Sequence, residues 1–421
     1  MAGESELTVK KDRVIIVGGG IAGLTAALEL GQMGKDILLL EKGPFIGGHA
    51  ANLPCKATDR CLKCNDCLVE EALRQVRENN SPLEVKNYAK VTGIKKNGGN
   101  FIITVEPSWC SIDQEKCTDC GACLEACLSS GHQAITHAPS INIHPFYGIR
   151  QELCTCLSEG VSPPCISACQ DGAITISDKV ESFQVQGKGV LLASGFRPYE
   201  PEAPNRYGYG HLPNVITTEQ ADRMLRERGG IFRPSDDDVP KKVAFVQCVG
   251  SRDRRLGREY CSRVCCGYSL RMALRMIHTV PDMEITVFYM DVQNFGKDFE
   301  RYYNEAKQKL RMVRCLPGDF YGWQDHKILV SYFSEVEDKT ISEAFDLVIL
   351  TVGLSPNEQG RALGEEIGLK VNEDGFLVAG EENLKQGVVV AGTAQGPMDV
   401  AECICDAKRA ALDMKKYIEG I

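Results

Sequence analysis

Residues 13–17, Arg-Val-Ile-Ile-Val, form a short unbroken apolar run of the kind that becomes a strand buried on both faces. Leu24, Ala27, Leu28 and Gly31 then recur at helical spacing. Asp36-Ile-Leu-Leu-Leu-Glu41 is a second apolar run, so the chain opens with a βαβ unit. The pattern returns at Lys242-Val-Ala-Phe-Val-Gln-Cys248, where a strand is followed by Leu270, Ala273, Leu274 and Ile277 on one face of a helix from Tyr268 to Val280. Glu284–Tyr289 is its next strand. Phe345–Val352 and Gly387–Gly392 read as buried strands, and an amphipathic helix runs from about Cys403 to Tyr417. Between the units, Glu70–Glu78 reads as helical. Two β-like segments flank Gly98-Gly99, Val185–Tyr199 is a strand and turn, and the Pro- and Asp-rich stretch 233–240 is a linker.

The run from Cys110 to Ile176 fits neither period and is rich in cysteine, which marks it as an insert. The chain has 421 residues and 20 cysteines, enough for two or three domains. Its net charge of -9 lacks the basic footprint of a nucleic-acid binder; Arg252, Arg254, Arg255 and Arg258 read as a solvated loop or a partner contact. Met1 to Arg13 is polar, and no apolar run approaches the roughly 20 residues that cross a bilayer. The expectation is a cytoplasmic chain without a membrane span, associated with a membrane only through a partner. Its thiols would then be reduced and bind metal.

Gly18-x-Gly20-x-x-Gly23 lies between the first strand and helix, as a dinucleotide loop requires. Gly18 permits the turn, Gly20 admits the pyrophosphate and Gly23 lets helix pack on strand. Glu41 ends the second strand, where a carboxylate suits a ribose hydroxyl. The loop alone does not choose between FAD and NAD. An amino-terminal unit completed by the carboxy-terminal Val388–Gly392 strand, and the segment Gly189-Val-Leu-Leu-Ala-Ser-Gly195, match the layout of flavoproteins with two dinucleotide-binding units, which favours FAD.

Cys117-x2-Cys120-x2-Cys123-x3-Cys127 is the bacterial ferredoxin run, with Leu128 where proline is usual. Cys154-x-Cys156-x8-Cys165-x3-Cys169 is an irregular second run. Since the fourth cysteine of each run serves the other cluster, Cys117, Cys120, Cys123 and Cys169 are expected around one [4Fe–4S] centre. Cys154, Cys156, Cys165 and Cys127 are expected around the other. Zinc is the competing occupant, chiefly of the irregular run.

Cys248 ends the strand of the second unit, and Cys261, Cys265 and Cys266 precede its helix. No second glycine fingerprint is present, so thiolates stand where a nicotinamide cofactor would bind. Buried free cysteines are the plainer alternative. Cys55, Cys61, Cys64 and Cys67 support two readings side by side: a fourth cluster, or free thiols in a solvated loop near the flavin. Cys110, Cys315, Cys403 and Cys405 read as core residues, and the seven histidines form no ligand pair.

Cys248-Val-Gly-Ser-Arg252 with Tyr260-Cys261-Ser-Arg-Val-Cys265-Cys266 resembles the unusual cluster motif of the A-type subunits of the heterodisulfide reductase family. The resemblance runs from Val14 to Tyr417. It includes Gly47-Gly48 followed by Cys61 and Cys64, the ferredoxin insert, and Val390-Ala-Gly-x-Ala-Gln-Gly-Pro-x-Asp399. It implies an α/β fold, a thioredoxin-reductase-like flavoprotein of two Rossmann-type units with an inserted α+β two-cluster ferredoxin domain. FAD would lie on Gly18, Gly20, Gly23, Glu41, Lys42, Gly48, Ser194, Gly195, Gly392, Gln395 and Asp399, and a cluster on Cys248, Cys261, Cys265 and Cys266. Where the flavoprotein class carries Gly-Asp, this chain has Gly392-Thr393.

The expected domains are a FAD-binding part (1–107), the insert (108–180), a second FAD-binding part (181–240), a cluster-carrying Rossmann-like unit (241–345) and a closing FAD-binding part (346–421). The family implies an electron-transferring subunit, with substrate chemistry on its partners and, in methanogen complexes, electron bifurcation. Without the family's terminal modules the chain resembles compact bacterial relatives, including those of class II benzoyl-CoA reductase complexes. Partners implied are HdrBC-like or MvhD-like subunits, hydrogenase, formate dehydrogenase, NADH dehydrogenase-like or acyl-CoA reductase modules, ferredoxin, and a second copy of the chain. The competing functions are a self-contained NADH-dependent disulfide or quinone reductase and a scaffold without cofactor.

Overall fold

The computed structural model describes residues 12–78, 83–156, 161–177, 180–201, 206–293 and 295–421; the polar stretch before residue 12 lies outside them. The opening unit is β1 (Val14–Val17), α1 (Ile21–Gln32) and β2 (Ile37–Leu40). The second is β3 (Lys242–Val249), α2 (Cys265–Thr279) and β4 (Glu284–Phe288). Each anchors a five-stranded parallel sheet. In the first, β1 lies between Gly189–Leu192 and β2, with Val388–Val390 and Leu83–Lys86 at the edges. In the second, β3 lies between Leu347–Val352 and β4, with Val215–Thr217 and Arg311–Val313 at the edges. Helices and loops cover both faces, so β1 and β2 are buried at every position and their runs are continuously apolar.

Each parallel sheet has a three-stranded antiparallel companion. The companion of the first joins Ala89–Asn97, Asn100–Pro107 and Phe183–Gly187, and it carries the insert. The chain leaves at one of its strands and returns on the neighbour, and a neck of Cys110–Ile112 against Ile174–Ile176 closes behind it. With its ends already adjacent, the insert adds little loop-closure entropy. Its own core is small. Ile112, Ala134, Ile135, Ile149, Ala173 and Ile174 pack with Cys123, Cys127 and Cys165, so the thiols themselves are part of what holds it together.

Two expectations need correction. The helix expected from Tyr268 begins at Cys265, which places Cys265 and Cys266 inside its first turn. The final helix begins at Val400, where Asp399 accepts the Glu402 N–H and Glu402 caps Asp399 in return. The Thr218–Arg228 and Phe299–Lys309 helices and the antiparallel sheet over 319–345 are additional to those read from periodicity. No helix among the described residues is long and apolar enough to cross a membrane.

Candidate functional site

Gly18 turns the chain at φ +105°, and a Cβ there would lie 2.3 Å from the Ala193 carbonyl oxygen. A Cβ on Gly23 would lie 1.9 Å from the Gly18 carbonyl oxygen, so α1 can approach β1 only without a side chain. Gly20 differs. It adopts ordinary extended backbone, and a Cβ there would meet only the Gly48 Cα, at 4.0 Å. Gly20 is also the amino-terminal cap of α1 and supplies no side-chain acceptor, which leaves first-turn N–H groups for an anionic ligand.

The Glu41 carboxylate accepts the Gly19 N–H and the Gly43 N–H, both at 2.8 Å. It thereby fixes the end of β2 to the glycine loop, and a carboxylate retains lone pairs for a ribose hydroxyl. Gly47-Gly48 packs against the same loop through the Gly47 N–H to the Gly19 carbonyl, 2.7 Å. Lys42 is exposed beside it. Across the sheet, the Ser194 carbonyl accepts from the Asn357 amide at 2.7 Å, and Gly195 turns at φ +70°. The Gly392 N–H and the Gln395 amide both donate to Asp406, each at 2.8 Å. Asp406 was not read from the sequence. It reaches back from the last helix to the turn where Thr393 replaces the usual Asp, and no motif spacing marks it. Asp399 is engaged as the helix cap already described.

In the insert, one cavity is lined by Cys117, Cys120, Cys123 and Cys169. Three come from the first run and the fourth from the second, which is the crossed arrangement. Thr118 ties the runs together by donating to Asp171 at 2.8 Å. Cys169 accepts the Ala173 N–H at 3.3 Å. Burial first, then the neighbouring Cys127, Cys154 and Cys156 thiols, push Cys165 up to about 12. Those four residues are the second crossed set. Among the described residues no three Cys, His, Asp or Glu converge as a single ion demands. The first set instead rings a space.

Cys248, Cys261, Cys265 and Cys266 also gather. Burial and its neighbours Cys266 and Cys261 raise the Cys248 thiol to about 12, and burial raises Cys266 to about 11. Cys248 takes the left-handed conformation at φ +60°, within the irregularity of the β3 register between Val246 and Val249. Left-handed backbone is uncommon outside glycine and is held here by the surrounding fold. Arg252 forms an ion pair with Asp291 beside the group. The Tyr199 ring covers the turn after β3, where a Cβ on Gly250 would lie 2.0 Å from the ring.

The amino-terminal cysteines occupy one loop, with Cys55, Cys61 and Cys67 exposed and Cys64 half-buried. Cys110 and Cys403 are buried and Cys315 half-buried, as expected of core residues, whereas Cys405 is exposed on the last helix.

Residues 16–59 match the NAD(P)-binding Rossmann-like domain family. Over 426 aligned residues the chain is 33% identical to the A-type component of the H(2):CoB-CoM heterodisulfide,ferredoxin reductase of Methanothermobacter marburgensis, covering 96% of this chain and 64% of that protein. It is 34% identical over 425 residues to the A-type iron-sulfur component of the CoB--CoM heterodisulfide reductase of Methanocaldococcus jannaschii, covering 94% and 63%. The chain thus spans a little under two thirds of the length of these relatives. Among solved structures it is similar to thioredoxin reductase of Lactococcus lactis (16% identity, 98% of this chain, 100% of that one, TM-score 0.53). It is also similar to that of T. acidophilum (15% identity, 97% and 99%, TM-score 0.54). These last two likenesses establish the fold.

Proposed function

We propose that this chain, which belongs to the family of A-type heterodisulfide reductase subunits over the part of those proteins that it spans, is an electron-relaying FAD and iron–sulfur subunit of a larger oxidoreductase. The observation that carries this reading is the cavity lined by Cys117, Cys120, Cys123 and Cys169. Four thiols from two distant runs around one space suit a cubane with one thiolate per iron. Cys127, Cys154, Cys156 and Cys165 would hold a second cluster. Cys248, Cys261, Cys265 and Cys266 would hold a third at the positive end of α2.

FAD, when bound, supplies exchange between one-electron and two-electron carriers. The chain's contribution is to hold and orient it. First-turn N–H groups of α1 would face its phosphates, Gly20 would leave room for them, and Glu41 would take the ribose. A self-contained NADH-dependent reductase is disfavoured by the second unit. Its strand-to-helix turn carries thiols and the Tyr199 ring where a pyrophosphate would need bare backbone. Partner subunits would then bring the substrate chemistry, and the insert would face one of them.

Anaerobic purification from the native cell, with iron, acid-labile sulfide and flavin counts and identification of co-purifying subunits, tests this. Flavin, about 12 irons or more per chain and oxidoreductase partners are expected. A chain that purifies alone and turns over with NADH would overturn it.

A further inference from the structure

The Cys61–Cys67 loop repeats the backbone device of the Cys117–Cys123 loop. In the latter, Asp119 adopts the left-handed conformation at φ +53° and its N–H points to the Cys117 thiol. The third cysteine, Cys123, lies in the first turn of the Ala122–Ser129 helix. In the former, Lys63 adopts φ +55° and its N–H donates to Cys61 Sγ at 3.3 Å. Cys67 opens the Cys67–Glu78 helix. The Cys261 site uses the same turn: Arg263 at φ +61° donates its N–H to Cys261 Sγ, again at 3.3 Å.

Non-glycine residues seldom take this conformation, because it costs free energy that the surrounding structure must offset. What it provides is an N–H aimed at sulfur, which stabilises a thiolate rather than a thiol. A solvated loop of free cysteines has no use for it.

The rest of the loop is prepared in the same sense. The Lys56 ammonium lies 3.6 Å from Asp66 Oδ2 with its side chain 1% exposed, which brings residue 55 back towards the 64–67 turn. Arg271 Nε donates to the Leu62 carbonyl at 2.8 Å and Arg275 to that of Ala57 at 3.0 Å, so the loop is docked on α2. Arg271 stands six residues beyond Cys265, about 9 Å along the helix. On its outer side Cys61 opens to a cavity of about 280 Å³ lined also by Arg60, Lys63, Arg301 and Asp298; Arg60 is paired with Glu305, and the remaining excess of cations suits an anionic centre.

We propose that Cys55, Cys61, Cys64 and Cys67 hold a further [4Fe–4S] cluster, docked beside α2 and open to solvent on a basic face. This deepens the relay reading by giving the chain a second electron port, on a helix whose Glu70 accepts from Ser140 of the insert, but it stands on the loop's own geometry.

The test is anaerobic alkylation of the holoprotein with iodoacetamide, mapped by mass spectrometry, beside iron, zinc and sulfide counts. Cys405 is exposed and outside every ligand set, so it labels and serves as the control. Cys55, Cys61 and Cys67 are expected to stay unlabelled until a chelator strips the metal. Iron should fall from about 16 to about 12 per chain in the double variant Cys61→Ser/Cys64→Ser. Full labelling of those three in a holoprotein that keeps about 12 irons overturns the proposal and leaves the relay reading standing. Protection with one zinc per chain and about 12 irons overturns the cluster in favour of a structural ion. A native chain without iron overturns both. If the double variant does not fold, wild-type alkylation and metal counts decide.

Discussion

Lys56 Nζ lies 3.3 Å from Asp222 Oδ1, with both side chains almost fully buried. Tyr268, on α2, donates to the same Asp222 carboxylate. One ammonium therefore joins a loop of the first unit to the Thr218–Arg228 helix and to α2 of the second. Removing one partner of such a group leaves charge buried without compensation. Lys56→Met is expected to cost about 3–5 kcal/mol in chemical denaturation and to raise the alkylation rate of Cys64. A cost below about 1 kcal/mol would show that water reaches the group.

The same carboxylate has a pH signature. Burial, opposed by Lys56, raises the Asp222 pKa to about 6. The folded value lies above the unfolded one, so the folded state holds this proton more tightly. The resulting stability is complete below the ordinary carboxylate range and is lost as pH rises through about 6. Wild type should lose roughly 1 kcal/mol relative to Asp222→Asn between pH 5 and pH 7. Urea titrations at matched pH would read it, and a pH-independent difference would refute the burial.

Cys169 is 46 residues from Cys123 in sequence but lines the same cavity. Cys169→Ser should lose the iron of one cluster, about four atoms, although Cys117, Cys120 and Cys123 stay intact. Iron counts and low-temperature EPR of the reduced protein check this. An unchanged spectrum and iron content would mean that the runs do not cross.

The two glycine positions should separate folding from cofactor binding. A methyl at Gly23 would lie 1.9 Å from the Gly18 carbonyl oxygen, so Gly23→Ala should destabilise the apoprotein by about 1–3 kcal/mol. A methyl at Gly20 meets nothing nearer than 4.0 Å, so Gly20→Ala should fold within about 1 kcal/mol of wild type. It should nonetheless lose FAD, because the methyl occupies the approach of the pyrophosphate. Flavin absorbance and apoprotein melting read the two effects apart; full flavin content in Gly20→Ala would remove the phosphates from this loop.

Local pattern determined the two βαβ units, the glycine loop and the cysteine runs. Each is written in short-range periodicity or fixed spacing: four apolar residues for β1, three glycines in six residues, ferredoxin-run thiols with two or three residues between them. Other features depended on tertiary structure because their partners are distant in the chain. Glu41 tied to Gly19, Asp406 tied to Gly392, and Tyr199 over Gly250 follow from sheet order and packing. So does the start of α2 at Cys265, which periodicity placed three residues late because the first turn is all Cys, Gly and Tyr. The Lys56 group is the clearest case. Lys56, Asp66, Asp222 and Tyr268 are spread over 212 residues, and only folding brings their opposite charges out of water together.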